Sequence, residues 1–590
     1  MKMEAMDRFR EACVSAVREV LDGMGAPADL KIVTEVPDNA DLAIPCFTFS
    51  KALKAAPVKI AEDIAASIGC GNGIVSVVPL NGYLNFTADP VPIVSGVLEE
   101  GVAKGKDIGR SAPSGIRVNV EHTSTNPTGP VHVGRARNPI IGDTLARCLR
   151  MRGHDVTAEY YVNDVGKQVV TLAWGVKNVT KEEAEAEMNA SENPDDRDKV
   201  DHRLVYSYRV ATKKIHGDEA NGIPADPALE EQVADMMRRF ENGDREVIDY
   251  VGKVAETMLG GINATLADMN VTLDKYTWES AIIADGAARR IADRLSASKY
   301  AGQTEDGARY VELKEFGIKG KNTKFTFTRA DGTTLYTTRD LAYHEDKFSR
   351  SDRVIDVLGE DQKLGSAQLC AALEIMGEEK RPEPLFYSFV SLPQGRMSTR
   401  KGVVVYLDDL LEEARARAYE EIKKRRDDLS EEKMREIARA VGTGAVRYNI
   451  VRVGADKQLV FKWEDALNFD GNSGPYLQYV HARACSILRK AGEFQRDCDG
   501  SKLSDEYEIR LAKVLARYPD VLQTIDETKR VNLMPAYAHE VASAFNQFYT
   551  QVSVLNAGDV RDARLTLVEC TKYVLASALN CLGIEAPEEM

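Results

Sequence analysis

The sequence predicts a multidomain α/β chain: a parallel-sheet core carrying an inserted helical segment, a small α/β domain before it and an all-α helical bundle after it. Three observations lead there. At 590 residues the chain is longer than one domain usually is, so two to four domains are expected. Strand-like and helix-like segments alternate from Ile116 onward, the order of βαβ units around a parallel sheet. From about Asp408 the periodicity is helical almost without interruption.

Residues up to about Ser111 read as a separate α/β module. MKMEAMDRFREACVSAVREV is a charged amphipathic helix, not a signal peptide. DNADLAIPCFTFSKALKAAPVKIAEDIAASIG reads as a loop and two helical segments. IVSVVPLNGYLNF, a helical stretch and the linker AKGKDIGRSAPSG follow.

The stretch that organises the chain is Ile116 to Asp143, IRVNVEHTSTNPTGPVHVGRARNPIIGD. Ile116, Val118 and Val120 alternate as in a strand. Pro127, Gly129 and Pro130 then stop both strand and helix. Ile140, Ile141, Leu145 and Leu149 return at helical spacing. The result is strand, sharp turn and helix, with His132 and Gly134 at the helix mouth, where free N–H groups and the helix dipole favour phosphate. Pro139 removes one N–H there and introduces a potential kink. VTAEYYVNDVGKQV supplies the next strand and helix. From about Gly175 to Arg245 the chain is highly charged with helical segments, and the stretch from about 175 to 270 reads as an insertion between two halves of one fold. Strands resume near Val271, with a D-G turn at Asp331–Gly332, a strand-to-helix block at Leu335–Asp340 and a strand ending at Gly359–Gln362. GRMSTRKGVVVY is a basic turn before a strand.

Composition bounds the function. Hydrophobic content of 44% is ample for packed cores, and no apolar run approaches a membrane span. Nine scattered cysteines without a C-x-x-C or Cys/His cluster argue for reduced thiols in a cytoplasm and against structural zinc. A net charge of −15 disfavours nonspecific nucleic-acid binding. Local basic patches stay open, since distant charges are screened beyond about 10 Å at moderate salt.

N-P-T-G-P-x-H-x-G inside V-E-x-x-S-x-N resembles the first signature of class I aminoacyl-tRNA synthetases in its arginyl-tRNA synthetase form. M-S-T-R-K-G resembles the mobile second signature, N-G-Y-L-N-F the family's N-terminal additional domain, and N-S-G-P-Y-L-Q-Y-x-H-A-R the start of its all-helical anticodon-binding domain. The resemblance covers nearly the whole chain in the family's order. It implies three units: an additional tRNA-contacting domain at 1–111, a Rossmann-like catalytic domain at 112–407, and a helical stem with the anticodon-binding domain at 408–590. The implied reaction is ATP-dependent arginine–tRNA ligation in protein biosynthesis, with Mg²⁺ accompanying ATP and the chain acting as a monomer.

The resemblance also implies site roles. Pro130, Val131, His132, Gly134, Met397, Ser398 and Thr399 line ATP. His132 contacts its phosphates, and either Arg400 or Lys401 neutralises the pyrophosphate. Arg135 stands where the family usually has a second histidine, and it can still pair with phosphate. A guanidinium needs planar acceptors, and Glu279 and Asp340 supply them, with Tyr336 as a wall. Ser124, Asn126 and Gln362 match positions for the substrate α-amino group, and Glu121 binds or orients the same end. Asn81, Tyr83 and Asn85 are candidate contacts to tRNA bases. Two other readings compete. One is a class I enzyme for another amino acid, against which the acidic pocket speaks. The other is an RNA-binding protein that has lost catalysis, for which Arg135 gives some footing and against which His132 and Gly134 stand.

Overall fold

The structure is a computed structural model describing residues 4–37, 40–190, 197–218, 222–241, 243–320, 322–391, 406–496 and 498–590. The helix Glu4–Gly23 packs over an antiparallel sheet of β1 (Leu42–Pro45), β2 (Ile74–Leu80) and β3 (Tyr83–Ala88), in the order β1-β3-β2. β1 falls where the sequence reads as a loop leading to helices. All four of its residues are buried, and a strand that short and fully covered shows no period-2 pattern. Asn81 and Gly82 join β2 to β3, both left-handed at φ 51° and 83°, the geometry of a type I′ hairpin turn.

The central sheet is parallel, as the alternation predicts. It starts with β4 (Arg117–Glu121), β5 (Asp155–Val162) and β6 (Lys275–Trp278). A small antiparallel sheet of β7 (Ala301–Gln303), β8 (Arg309–Glu312) and β9 (Lys324–Thr328) follows. The chain then returns to the other side of β4 with β10 (Arg353–Gly359) and β11 (Glu383–Tyr387). The order is β11-β10-β4-β5-β6. Strand order therefore reverses between β4 and β10, and a crevice at their C-terminal ends is where such sheets bind ligands. The insertion is helical (Lys181–Asn189, Val200–His216, Pro227–Glu241, Arg245–Asp268) and sits between β5 and β6. Among the described residues, seven longer helices, from Leu407–Arg425 to Arg561–Cys581, form the C-terminal bundle.

Pro139 causes no break. It is the third residue of the helix Arg137–Met151, and a first-turn N–H has no intrahelical acceptor to lose. Two fully buried arginines bind this helix to the C-terminal part of the chain. Arg137 donates to the carbonyls of Ser388, Val453, Gly454, Ala455 and Lys457 at 2.6–3.2 Å. Arg447 donates to Asp143 (2.6 Å) and to the carbonyls of Met269 and Leu582 (2.7 and 2.6 Å). Burial alone would expel such charges; the carbonyls around both terminal nitrogens of Arg137 and the acceptors on all three nitrogens of Arg447 keep them, although Arg137 Nε is left without one.

Candidate active site

β4 ends at Glu121, and the chain then turns sharply through Thr123 (φ 78°) and Ser124 (φ 35°). Left-handed backbone at a β-branched residue is strained, so something must hold it. Asn138, in the first turn of the following helix, accepts the Thr123 N–H at 2.5 Å and donates to the Val357 carbonyl of β10 at 3.0 Å. One side chain thus fastens the turn to the strand across the crevice. Asn138→Ala leaves the buried Thr123 N–H unpaired, and a melting midpoint a few degrees lower is expected from a loss of about 1–3 kcal/mol.

Past the prolines the backbone is extended at His132 and makes a short 3₁₀ turn, Val133–Arg135, before the helix. His132 forms an antiparallel bridge with Tyr406, and the Leu407 N–H donates to the Val131 carbonyl at 2.7 Å. The Val131 side chain lies in the core. A cleft of about 380 Å³ opens beside it. Asn126, Pro130, His132 and Arg135 form one wall; Tyr208 and Arg209 from the insertion face them. Arg209 donates to the Tyr406 hydroxyl at 2.9 Å. Burial, helped by the nearby Arg135, lowers His132 to about 4. At neutral pH it is therefore a neutral imidazole, able to donate one N–H. Gly134 is half-buried and Arg135 exposed.

Across the crevice lies a buried charge cluster. Lys347 has no exposed surface; its ammonium donates to Glu121 at 2.7 Å and to Asp356 of β10 at 2.8 Å. His344 bridges Asp356, 2.9 Å from Nε2, and Asp340, 3.2 Å from Nδ1. Ser124 Oγ donates to Glu121 at 3.2 Å. Burial raises Glu121 and outweighs its lysine. Burial and Lys347 oppose the charge on His344, but Asp356 and Asp340 together outweigh them and raise it to about 9.

Asp340 lies one turn inside the helix Tyr336–Arg350, so it does not cap it. Tyr336 is 48% exposed one turn earlier on the same face. Glu279 is fully buried, and it faces a guanidinium of the chain itself: Arg339 donates to one oxygen. With its amide turned to satisfy both ends, Asn163 donates to the other at 3.0 Å. Burial raises Glu279 to about 7 against the pull of Arg339. Asn126 donates to Gln168 at 3.2 Å, and Gln362 is exposed in the turn after β10. Met397, Ser398, Thr399, Arg400 and Lys401 lie outside the described residues.

The structure thus gathers the sequence's candidates into two groups, His132 with Asn126, Pro130 and Arg135, and Glu121 with Ser124 and Asp340. Asn138, Arg209, His344, Lys347 and Asp356 join them unannounced. For His344 and Lys347 a signal existed: 340, 344 and 347 share one helical face. On the first domain, Asn81 is exposed at the hairpin tip. Tyr83 and Asn85 share a face of β3, with Tyr83 edge-on to Phe47 (centroids 5.3 Å apart) and Asn85 donating to the Val78 carbonyl. Among the described residues one cluster has metal-ligand spacing, Asp201, His202 and Asp408. The Lys199 ammonium lies between its two carboxylates, 2.9 Å from Asp408 and 3.4 Å from Asp201.

Comparison with known proteins identifies the family. Residues 98–463 match the family "tRNA synthetases class I (R), catalytic domain". The chain is 45% identical over 565 residues to the arginine–tRNA ligase of Methanocella arvoryzae, covering 95% of this chain and 96% of that one. The chain belongs to the arginyl-tRNA synthetase family. Residues 7–88 match the arginyl-tRNA synthetase N-terminal domain and 477–590 the DALR anticodon-binding domain. The arginine–tRNA ligase of Methanothermobacter thermautotrophicus is 37% identical over 586 residues, 98% of each chain. The solved arginyl-tRNA synthetase of Thermus thermophilus superposes with a TM-score of 0.82 at 27% identity, over 98% of this chain and all of that one.

The imidazoles of this arginyl-tRNA synthetase family member set its pH range. Burial lowers His122, as it does His132, to about 4, so both bind protons in the unfolded chain first and stability falls as pH drops from 6.5 towards 4. His344 is shifted the other way: its contribution is whole below 6.5 and is lost as pH rises through about 9. Glu279, raised to about 7, acts against the two lowered imidazoles between pH 4.5 and 7, so the clear window is the alkaline one. A melting temperature that falls as pH rises from 7 to 9 is expected; a midpoint flat over that range would contradict a charged His344.

Proposed function

We infer that this chain ligates L-arginine to tRNA(Arg) at the expense of ATP. In the first step the arginine carboxylate oxygen bonds to the α-phosphorus of ATP, and the bond to pyrophosphate breaks. In the second a terminal ribose hydroxyl of tRNA attacks the adenylate carbonyl; AMP leaves and the hydroxyl proton passes to solvent. No protein nucleophile is required, and alignment and charge stabilisation supply the rate. The observation that carries this reading is the charge cluster built on Glu121 at the end of β4, Asp356 of β10 and Asp340, at the sheet's reversal point, with the turn that leads from Glu121 to His132 beside it.

In this reading the neutral His132 donates its N–H to a phosphate oxygen, with Pro130, Val131, Gly134 and Arg135 bordering the nucleotide. Asp340 takes the guanidinium with Tyr336 against it, and Glu121, Ser124, Asn126 and Gln362 orient the α-amino end. Glu279 contributes less directly than the sequence suggests, since Arg339 and Asn163 occupy its oxygens. Met397, Ser398, Thr399 and either Arg400 or Lys401 complete the ATP site. Mg²⁺ enters as the counterion of ATP.

For tRNA, Asn81, Tyr83 and Asn85 face outer-corner bases. Tyr479 and Tyr549, 42% and 40% exposed, flank Arg483 and offer stacking surfaces for anticodon-loop bases. The units 1–111, 112–407 and 408–590 divide these tasks, in a cytoplasmic monomer. No described helix is long and apolar enough to cross a membrane. The test is ATP–pyrophosphate exchange with arginine, with and without tRNA, beside charging of cognate transcripts. Absence of arginyl-tRNA defeats the reading. The family resemblance adds that activation itself requires bound tRNA, and robust exchange without tRNA defeats that addition alone.

A further inference from the structure

The cluster beneath the pocket holds one group whose role nothing above assigns. His344 is 2% exposed and meets only oxygen acceptors. Its Nδ1 lies 2.8 Å from the Asp340 carbonyl and 3.2 Å from Asp340 Oδ1; its Nε2 lies 2.9 Å from Asp356 Oδ2. A neutral imidazole has one N–H and would turn a lone pair towards one of these oxygens. The imidazolium satisfies both sides. Every charged group facing it agrees with that state or is itself paired. Asp340 and Lys347 come from its own helix, Asp356 from β10 and Glu121 from β4, and Lys347 is spent on Glu121 and Asp356. The rings of Tyr343 and Phe348 close the remaining sides, both with centroids 6.0 Å away.

We propose that His344 is a positioning residue for arginine: an imidazolium between Asp340 and Asp356 that fixes Asp340 Oδ1 and leaves Oδ2 free for the substrate guanidinium. The Asp340 side chain is 26% exposed, so one edge is open while the other is pinned from below. Asp356 in turn is pinned by Lys347 and lies on a central strand, so the guanidinium site is referenced to the sheet rather than to its own helix. This rests on the reading that Asp340 meets the guanidinium.

Two variants dissect the bridge. His344→Asn keeps a donor near Nδ1, towards Asp340; His344→Gln keeps one near Nε2, towards Asp356. Steady-state charging of the full chain with tRNA is measured from pH 7 to 9.5, with citrulline as competitive inhibitor and a thermal melt for each protein. The expected result is a rise in arginine KM of about 10–100-fold in His344→Gln, the loss of one charge-assisted bond. A smaller rise is expected in His344→Asn, and kcat and the KM for ATP stay near wild type in both. In the wild type the ratio of citrulline Ki to arginine KM, in which their common α-amino titration cancels, falls as pH rises through about 9. In His344→Asn that ratio is flat. A merely structural histidine lowers the melting temperature and leaves arginine KM and the ratio as they were, and that result overturns the proposal. Should His344→Gln fail to fold, His344→Asn and the wild-type profile still decide. Asp340→Asn, run alongside, separates the layers. Unchanged arginine kinetics there defeat the pocket assignment; lost arginine selectivity there with wild-type behaviour in both His344 variants defeats this inference alone.

Discussion

Asp340→Asn is expected to collapse the preference for arginine over citrulline. A carboxylate facing a guanidinium makes charge-assisted hydrogen bonds, and leaving the bound cation without its partner costs about 3–5 kcal/mol at a buried site. That corresponds to roughly 10²–10³-fold or more in arginine kcat/KM. Citrulline is nearly isosteric and neutral, so it loses little. ATP affinity should hardly change, because Asp340 belongs to the cluster with Glu121 and His344 and not to the cleft beside His132. Near-normal arginine kinetics would remove Asp340 from the pocket. A capping role is not available as an alternative, since the helix begins at Tyr336 and its N-cap is Leu335.

The second large effect is at the signature turn. His132→Ala should lower turnover by about 10²–10³-fold if its N–H meets charge that develops on phosphate. The residue is held in place by the bridge to Tyr406, so removing the ring leaves the backbone and Gly134 where they are. Arg135→His, the residue that the resemblance leads one to expect there, should keep activity: Arg135 is exposed, and burial more than Arg135 keeps His132 neutral. A folded but inactive Arg135→His variant would show that the arginine has taken over part of the phosphate chemistry. Single-turnover adenylate formation in the presence of tRNA separates this from a defect in transfer.

The sequence made the parallel sheet, the small first domain and the helical bundle legible, because β-branched runs, a two-proline turn and long 3.6-period stripes are local signals. β1 escaped because four buried residues carry no period. The candidate site was legible only as separate motifs. His132 and Gly134 announce themselves by their turn, and Asp340 by its place after a strand. What spacing along the chain does not reveal is who sits behind whom. Lys347 reads as one more charge on an amphipathic helix until β10 and β4 bring Asp356 and Glu121 to its ammonium. Likewise Glu279 reads as a free acceptor until the fold turns Arg339 back onto it. The strain at Thr123 and its fastening by Asn138 are tertiary facts with no local trace.

The two buried arginines have a consequence for the order in which the chain is made. Arg137 finds its acceptors at residues 388 and 453–457, and Arg447 finds one of its own at Leu582. A ribosome-bound chain that has emerged only to about residue 407 holds the whole signature turn but none of the Val453–Lys457 carbonyls. Its first signature helix would have to bury a guanidinium with most of its hydrogen bonds missing, which is too costly to persist. The nucleotide-binding half therefore cannot finish folding on its own as it leaves the tunnel, although N-terminal units ordinarily do. It waits, partly assembled, until the segment to Lys457 has emerged.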